Sequence, residues 1–118
     1  MSSLNLVRFA ADSRSFAAGQ PIFNEGQPGD VMFVVKEGEV DLVVHGKVVE
    51  TVGPGGILGE MALIDGNPRS ATAVAKTDCQ LAPINEARLQ FLVQQTPYFA
   101  IEVMRVLAKR LRHMDAEA

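Results

Sequence analysis

Residues 59–72 read Gly-Glu-Met-Ala-Leu-Ile-Asp-Gly-Asn-Pro-Arg-Ser-Ala-Thr. An acid, Glu60, opens a small apolar patch, and an arginine, Arg69, closes it among small residues beyond a Gly-Asn-Pro turn. Glu-Met-Ala-Leu favours helix, yet Asp65-Gly66-Asn67-Pro68 ends it after about one turn. From Ala71 to Ala75 the composition returns to strand. A helix that short adds little stability. It does supply unpaired backbone N–H groups at its N-terminus. Those amides, the positive end of the helix dipole and the always-charged fork of Arg69 suit phosphate oxygens. A carboxylate would repel a phosphate, so Glu60 fits a partner that donates hydrogen bonds, as a sugar hydroxyl does. The stretch points to a compact ligand that joins a phosphate to a ribose, that is, a nucleotide. The plainer alternative is a structural ion pair between Glu60 and Arg69, and the two are expected to pair in the empty site in either case.

Upstream, glycine and proline punctuate short segments rich in valine, phenylalanine and isoleucine, the signature of strands joined by tight turns. The clearest run from Val31 to Val35, Glu39 to Val44 and Lys47 to Val52; in the second, Val40, Leu42 and Val44 give one apolar face. Glu37-Gly38 and His45-Gly46 read as hairpin connections. After Pro83 the pattern changes. Asn85 can cap a helix from about Glu86 to Gln95, and Thr96-Pro97 can start another. In that last helix Ala100, Met104, Leu107, Leu111 and Met114 form one stripe, expected to pack on the chain's own strands; two heptads are too few for a coiled coil. The expected fold class is mainly β with C-terminal helices: a single domain over 1–118, with a β-roll over about 14–84 and helices over about 85–115.

The chain has 118 residues, 47% hydrophobic and 21% charged, which is ordinary for a globular protein and excludes a disordered one. A net charge of −3 argues against a nucleic-acid platform. No apolar run approaches the roughly 20 residues of a membrane span, and residues 1–8 lack a secretory pattern. The only cysteine, Cys79, cannot form an internal disulfide and reads as a buried thiol, which suits the cytoplasm. His45 and His113 are too few and too far apart for a metal site.

The stretch from Gly59 to Ile64 and from Pro68 to Thr72 resembles the phosphate-binding cassette of cyclic nucleotide-binding domains. Gly19 to Asp30 and Met32 to Val40 are similar to that family's early strands, so the resemblance spans residues 14–114. It implies an eight-stranded antiparallel β-roll of the jelly-roll type, with a short cassette helix and two C-terminal helices. It implies cAMP as ligand, with cGMP second. Carried over by position, Glu60 would accept from the ribose 2′-hydroxyl and Arg69 would hold the cyclic phosphate. Gly59, Met61, Ala62, Ser70 and Ala71 would donate backbone N–H groups, and the Ser70 hydroxyl could touch the phosphate or a syn guanine. Val44 would wall the base pocket. Arg110 lies where the family's bacterial channel domains place an arginine over the purine; the alternative for Arg110 is a solvated cation favoured near a helix C-terminus. Val103, Leu107 and Arg110 share one helix face. The short region before Ser15 and the lack of a helix-turn-helix or kinase motif set would make the chain, taken as complete, a receptor without a built-in effector.

The expected function is a non-catalytic cyclic nucleotide receptor whose last helix moves on binding, acting on an unknown effector protein as a monomer or a weak dimer through that helix. No cofactor, metal or nucleic-acid partner is expected. Two rivals stand beside it. A cupin-like or phosphodiester-cleaving barrel enzyme would need metal ligands or a general base, and the cassette has no His, Cys or paired carboxylate. A scaffold of the same fold without ligand is opposed by the complete cassette.

Overall fold

The computed structural model describes residues 12–117, so the segment read against a secretory leader lies outside the described residues. The punctuated region forms β1 (Arg14–Phe16), β2 (Pro21–Phe23), β3 (Val31–Glu37), β4 (Val40–Val44), β5 (Lys47–Val52), β6 (Ile57–Leu58), β7 (Thr72–Ala75) and β8 (Cys79–Asn85). Between β6 and β7 lies α1 (Glu60–Asp65), and the chain finishes with α2 (Glu86–Gln95) and α3 (Tyr98–Glu117). The strands make two four-stranded sheets, ordered β1-β8-β3-β6 and β2-β7-β4-β5, with antiparallel pairing throughout. This is the eight-stranded roll that the resemblance implied.

The two sheets close over one apolar core. Phe33, Val35, Leu58 and Leu81 of the first sheet meet Val40, Leu42, Val52 and Ala73 of the second. The Val31–Val35 run shows no polar alternation because β3 is buried on both faces. Its other face, Met32 and Val34, joins Ile57, Ala82 and Ile84 under the helices, where Leu92 of α2 and Phe99 and Val103 of α3 cover it. The Asn85 cap is present: its side chain accepts a hydrogen bond from the Arg88 amide at 2.8 Å.

Two sequence expectations are corrected. His45-Gly46 is a two-residue hairpin, with Val44 paired to Lys47 and positive φ at both turn residues. Glu37-Gly38, in contrast, carries the chain from one sheet to the other. There a glycine is required, because φ is +86° and a Cβ would lie 2.3 Å from the Asp78 carbonyl oxygen. The second correction concerns α3. Met104, Leu111 and Met114 of the expected stripe are exposed, and the helix instead buries Phe99 and Val103, with Val106 and Leu107 partly covered. The sequence holds two apolar stripes on this helix, and helical periodicity alone cannot say which one meets the sheet. Packing on α2 and β3 selects the stripe that includes Phe99, the largest fully buried side chain.

Candidate functional site

Seven cassette positions, Gly59, Glu60, Met61, Ala62, Arg69, Ser70 and Ala71, line one cavity together with Phe23, Leu42 and Arg110. β6 and β7 hold the cassette at its two ends, and α1 turns between them. Gly59 precedes α1 in the left-handed conformation (φ 77°), so the chain can reverse and bring its carbonyl next to Arg69. Gly66 closes α1 with φ 73°, its amide donating to the Ala62 carbonyl. Val44, expected to wall the base pocket, is half-buried at the end of β4 and does not line this cavity; Leu42, on the same face of that strand, does.

Arg69 is buried, and its bonds are unusual for a cation. Nη1 donates to the Gly59 carbonyl at 3.0 Å and Nη2 to the Val31 carbonyl at 2.7 Å. Among the described residues, its Nε is the only buried side-chain nitrogen or oxygen without a hydrogen-bond partner. Its guanidinium lies 4.1 Å from the centroid of the Phe23 ring. Burial pulls the Arg69 guanidinium below its ordinary value, while the charges of Asp30 and Glu60 act the other way. The space around it is tight. A Cβ at Gly29 would lie 2.1 Å from Arg69 Nε, and one at Gly59 would lie 2.5 Å from Nη1. Arg69 is therefore a held cation that no carboxylate neutralises directly.

Glu60 does not pair with Arg69, contrary to expectation. Its carboxylate, 2% exposed, accepts instead from Nη1 of Arg110 on α3. Arg110 also forms a fork onto Glu50 of β5, Nε to Oε1 at 3.0 Å and Nη2 to Oε2 at 3.1 Å, and donates to the Ile57 carbonyl at 2.7 Å. Burial alone would lower Arg110, but the bonds and charges of Glu50 and Glu60 outweigh it and leave the guanidinium above its ordinary value. Two arginines share the cassette, and Glu60 goes to the one whose geometry is bidentate with a second acid. The solvated-cation alternative for Arg110 does not hold, since its side chain is 12% exposed. The Ser70 hydroxyl lies 3.5 Å from Met61 Sδ, at the exposed rim. With Arg110 in place the cavity is about 40 Å³, room for roughly one water molecule and far below the roughly 300 Å³ of a small-ligand pocket.

Sequence reasoning missed Phe23, Gly29 and Glu50. The signal for Glu50 was present: β5 reads Lys-Val-Val-Glu-Thr-Val, and its one acid pairs across the strands with the buried Leu42. His45, at its exposed turn, lies 3.5 Å from Glu25. Cys79 is buried between the Glu39 and Thr77 carbonyls, and burial pushes its thiol above the ordinary range. Among the described residues, no three His, Cys, Asp or Glu side chains cluster as metal ligands, and no helix is long and apolar enough to cross a membrane.

The family model of the cyclic nucleotide-binding domain matches residues 13–96. The chain belongs to the cyclic nucleotide-binding domain family. It is 41% identical over 115 residues to the cyclic nucleotide-gated potassium channel mll3241 of Mesorhizobium japonicum, covering 98% of this chain and 31% of that protein. It is 40% identical over 79 residues to the cAMP-dependent protein kinase regulatory subunit of Eremothecium gossypii, covering 67% of this chain and 17% of that protein. The crystal structure of the Thermus thermophilus catabolite activator protein superposes with a TM-score of 0.83 at 32% identity, covering 98% of this chain and 56% of that one. The chain thus spans less than a third of the length of either sequence relative.

Proposed function

We propose that this cyclic nucleotide-binding domain is a receptor for cAMP that leaves its ligand chemically unchanged and signals to an effector through α3. The observation that carries the proposal is Arg69, buried and fixed, bonded only to neutral carbonyls, with one N–H unpaired beside the cassette. A cyclic phosphate, singly charged, would supply the missing acceptor and the missing negative charge together. The backbone amides of Gly59, Met61, Ala62, Ser70 and Ala71 would complete its cradle, with the ribose on Glu60 and the base towards Leu42. cGMP is the second reading, favoured by the exposed Ser70 hydroxyl at the rim. Titration calorimetry with cAMP, cGMP and a cyclic dinucleotide tests the proposal. cAMP is expected to bind most tightly and to be recovered intact. Recovery of 5′-AMP would establish the barrel enzyme instead, and heat from none of the three would leave a scaffold.

The ribose and Arg110 compete for the same carboxylate. A 2′-hydroxyl that takes Glu60 displaces Arg110, opens the contracted cavity and frees the guanidinium to cover the base. Binding of 2′-deoxy-cAMP is therefore expected to be about 10- to 150-fold weaker than that of cAMP, the range for a lost hydrogen bond to a charged group. Glu60→Gln, which keeps an accepting oxygen, is expected to lose less affinity than Glu60→Ala. Equal affinities for cAMP and the 2′-deoxy ligand would remove Glu60 from the ribose role.

The same exchange gives α3 its signal. Addition of cAMP is expected to change amide hydrogen-exchange protection along residues 98–114, because the Arg110 contacts to Glu60, Glu50 and Ile57 tie this helix to the roll. In Arg110→Ala, cAMP is expected to bind without that change. A ligand response that persists in the variant would place the coupling elsewhere.

A further inference from the structure

We infer that Phe23 is a positioning residue for the anion-binding arginine: its ring is the platform that holds the Arg69 guanidinium ready for a phosphate. The inference rests on the proposed role of Arg69 and adds the group that fixes it. Hydrogen bonds to the Gly59 and Val31 carbonyls fix two nitrogens of the guanidinium, and the Gly29 backbone lies close beside its Nε and Cζ. The ring of Phe23, 4.1 Å from Arg69 Cζ, adds the support of a π face through van der Waals contact and through its negative charge density. The platform is itself held. Phe23 stacks on the buried Phe33 with centroids 6.4 Å apart and planes 20° from parallel, and Phe16 meets Phe33 edge-on at 6.5 Å. Arg69 thus stands at the end of an aromatic row that begins in the core of the roll.

The chemistry favours an aromatic residue here over any other apolar one. The guanidinium is buried with no carboxylate bonded to it, and an aliphatic neighbour would leave its charge unsolvated on that side. A π face offsets part of that penalty without supplying a competing anion, so the cation keeps no carboxylate partner and its Nε stays unpaired in the empty site. A carboxylate in the same place would stabilise the cation better and would block it. Phe23 therefore maintains a charged, binding-ready arginine in the empty site, where rigid pre-organisation spares the ligand the cost of ordering it.

The test compares Phe23→Leu, which keeps an apolar side chain but removes the ring, with Phe23→Tyr, which keeps the ring. The first readout needs no ligand. The side-chain Nε–H NMR signal of Arg69, assigned from its loss in Arg69→Lys, is expected to be ring-current-shifted and protected from exchange in the parent protein. It should move to the position of a free, rapidly exchanging arginine in Phe23→Leu and be retained in Phe23→Tyr. An unchanged signal in Phe23→Leu overturns the inference. The second readout is affinity. Phe23→Leu is expected to bind cAMP about 10- to 30-fold more weakly, the range for a desolvated cation–π contact, and Phe23→Tyr within about threefold of the parent. Equal cAMP affinity in the parent and Phe23→Leu also overturns it. If the parent protein binds no cyclic nucleotide, the receptor reading fails, while the NMR signal still decides whether Phe23 positions Arg69. Melting curves accompany both variants, and Phe23→Met replaces Phe23→Leu if the latter does not fold.

Discussion

Replacing Arg69 with alanine is expected to lower cyclic nucleotide affinity by about 30-fold to several thousand-fold. Removing one partner of a buried, charge-assisted contact costs about 2–5 kcal/mol. The loss should be large because nothing else in the cavity can take over. Among the described residues, Arg110 is the only other cation lining it, and it is bound to Glu50, Glu60 and the Ile57 carbonyl. The fold is expected to survive. Two carbonyls lose a donor, but the chain is also relieved of a buried charge that no carboxylate neutralises directly. Calorimetry and a melting curve of the same sample separate the two effects. An affinity within about threefold of the parent, in a folded variant, would exclude Arg69 from the phosphate role.

Gly29→Ala is expected to cost nearly as much, although residue 29 donates nothing to the ligand. A Cβ there would stand 2.1 Å from Arg69 Nε and 2.3 Å from Cζ, so the guanidinium must leave its place. The backbone at Gly29 does not lie in the left-handed region, so alanine introduces no strain of its own. The tip of a long side chain is the part that can yield, which predicts lost binding with near-parental stability. A double-mutant cycle makes this decisive. Gly29→Ala in the Arg69→Ala background should cause no further loss, because both act through one guanidinium. An additional loss of the same size would mean that Gly29 serves the ligand by another route.

The parts of the site read from sequence are those fixed by local chemistry. Gly59, Glu60, Arg69 and Ser70 lie on one short stretch of chain, and a helix stopped after a turn and a half, followed by a small-residue strand, keeps them near one another, while Val31 and Phe23 of other strands give Arg69 its final place. The roll was legible for a different reason. Turn glycines and apolar runs mark β3, β4 and β5, and the resemblance supplied the eight-stranded roll, while the order of its strands came from the structure. The hairpin at His45-Gly46 needed only its own two residues, whereas the turn at Gly38 looked the same in sequence and proved to be a crossing between sheets. The difference lies in strand pairing: β3 bonds to β6 and β8 whereas β4 bonds to β5 and β7, so the strands on either side of Gly38 are not partners.

The sequence, through its resemblance, placed Glu60 and Arg69 at the two ends of a short cassette on a β-roll, and the two were expected to pair. Only the tertiary structure decided which cation Glu60 would bind. Arg69 and Arg110 carry the same charge, and neither periodicity nor spacing ranks them. Glu50 ranks them, because it sits on β5 where its carboxylate completes a fork with Arg110 and draws α3 onto the cassette. Such a choice rests on distances between residues fifty and sixty positions apart, set by which stripe of α3 packs on the sheet. That packing is a competition between two apolar faces of one helix, and burial of Phe99 and Val103 against the roll settles it.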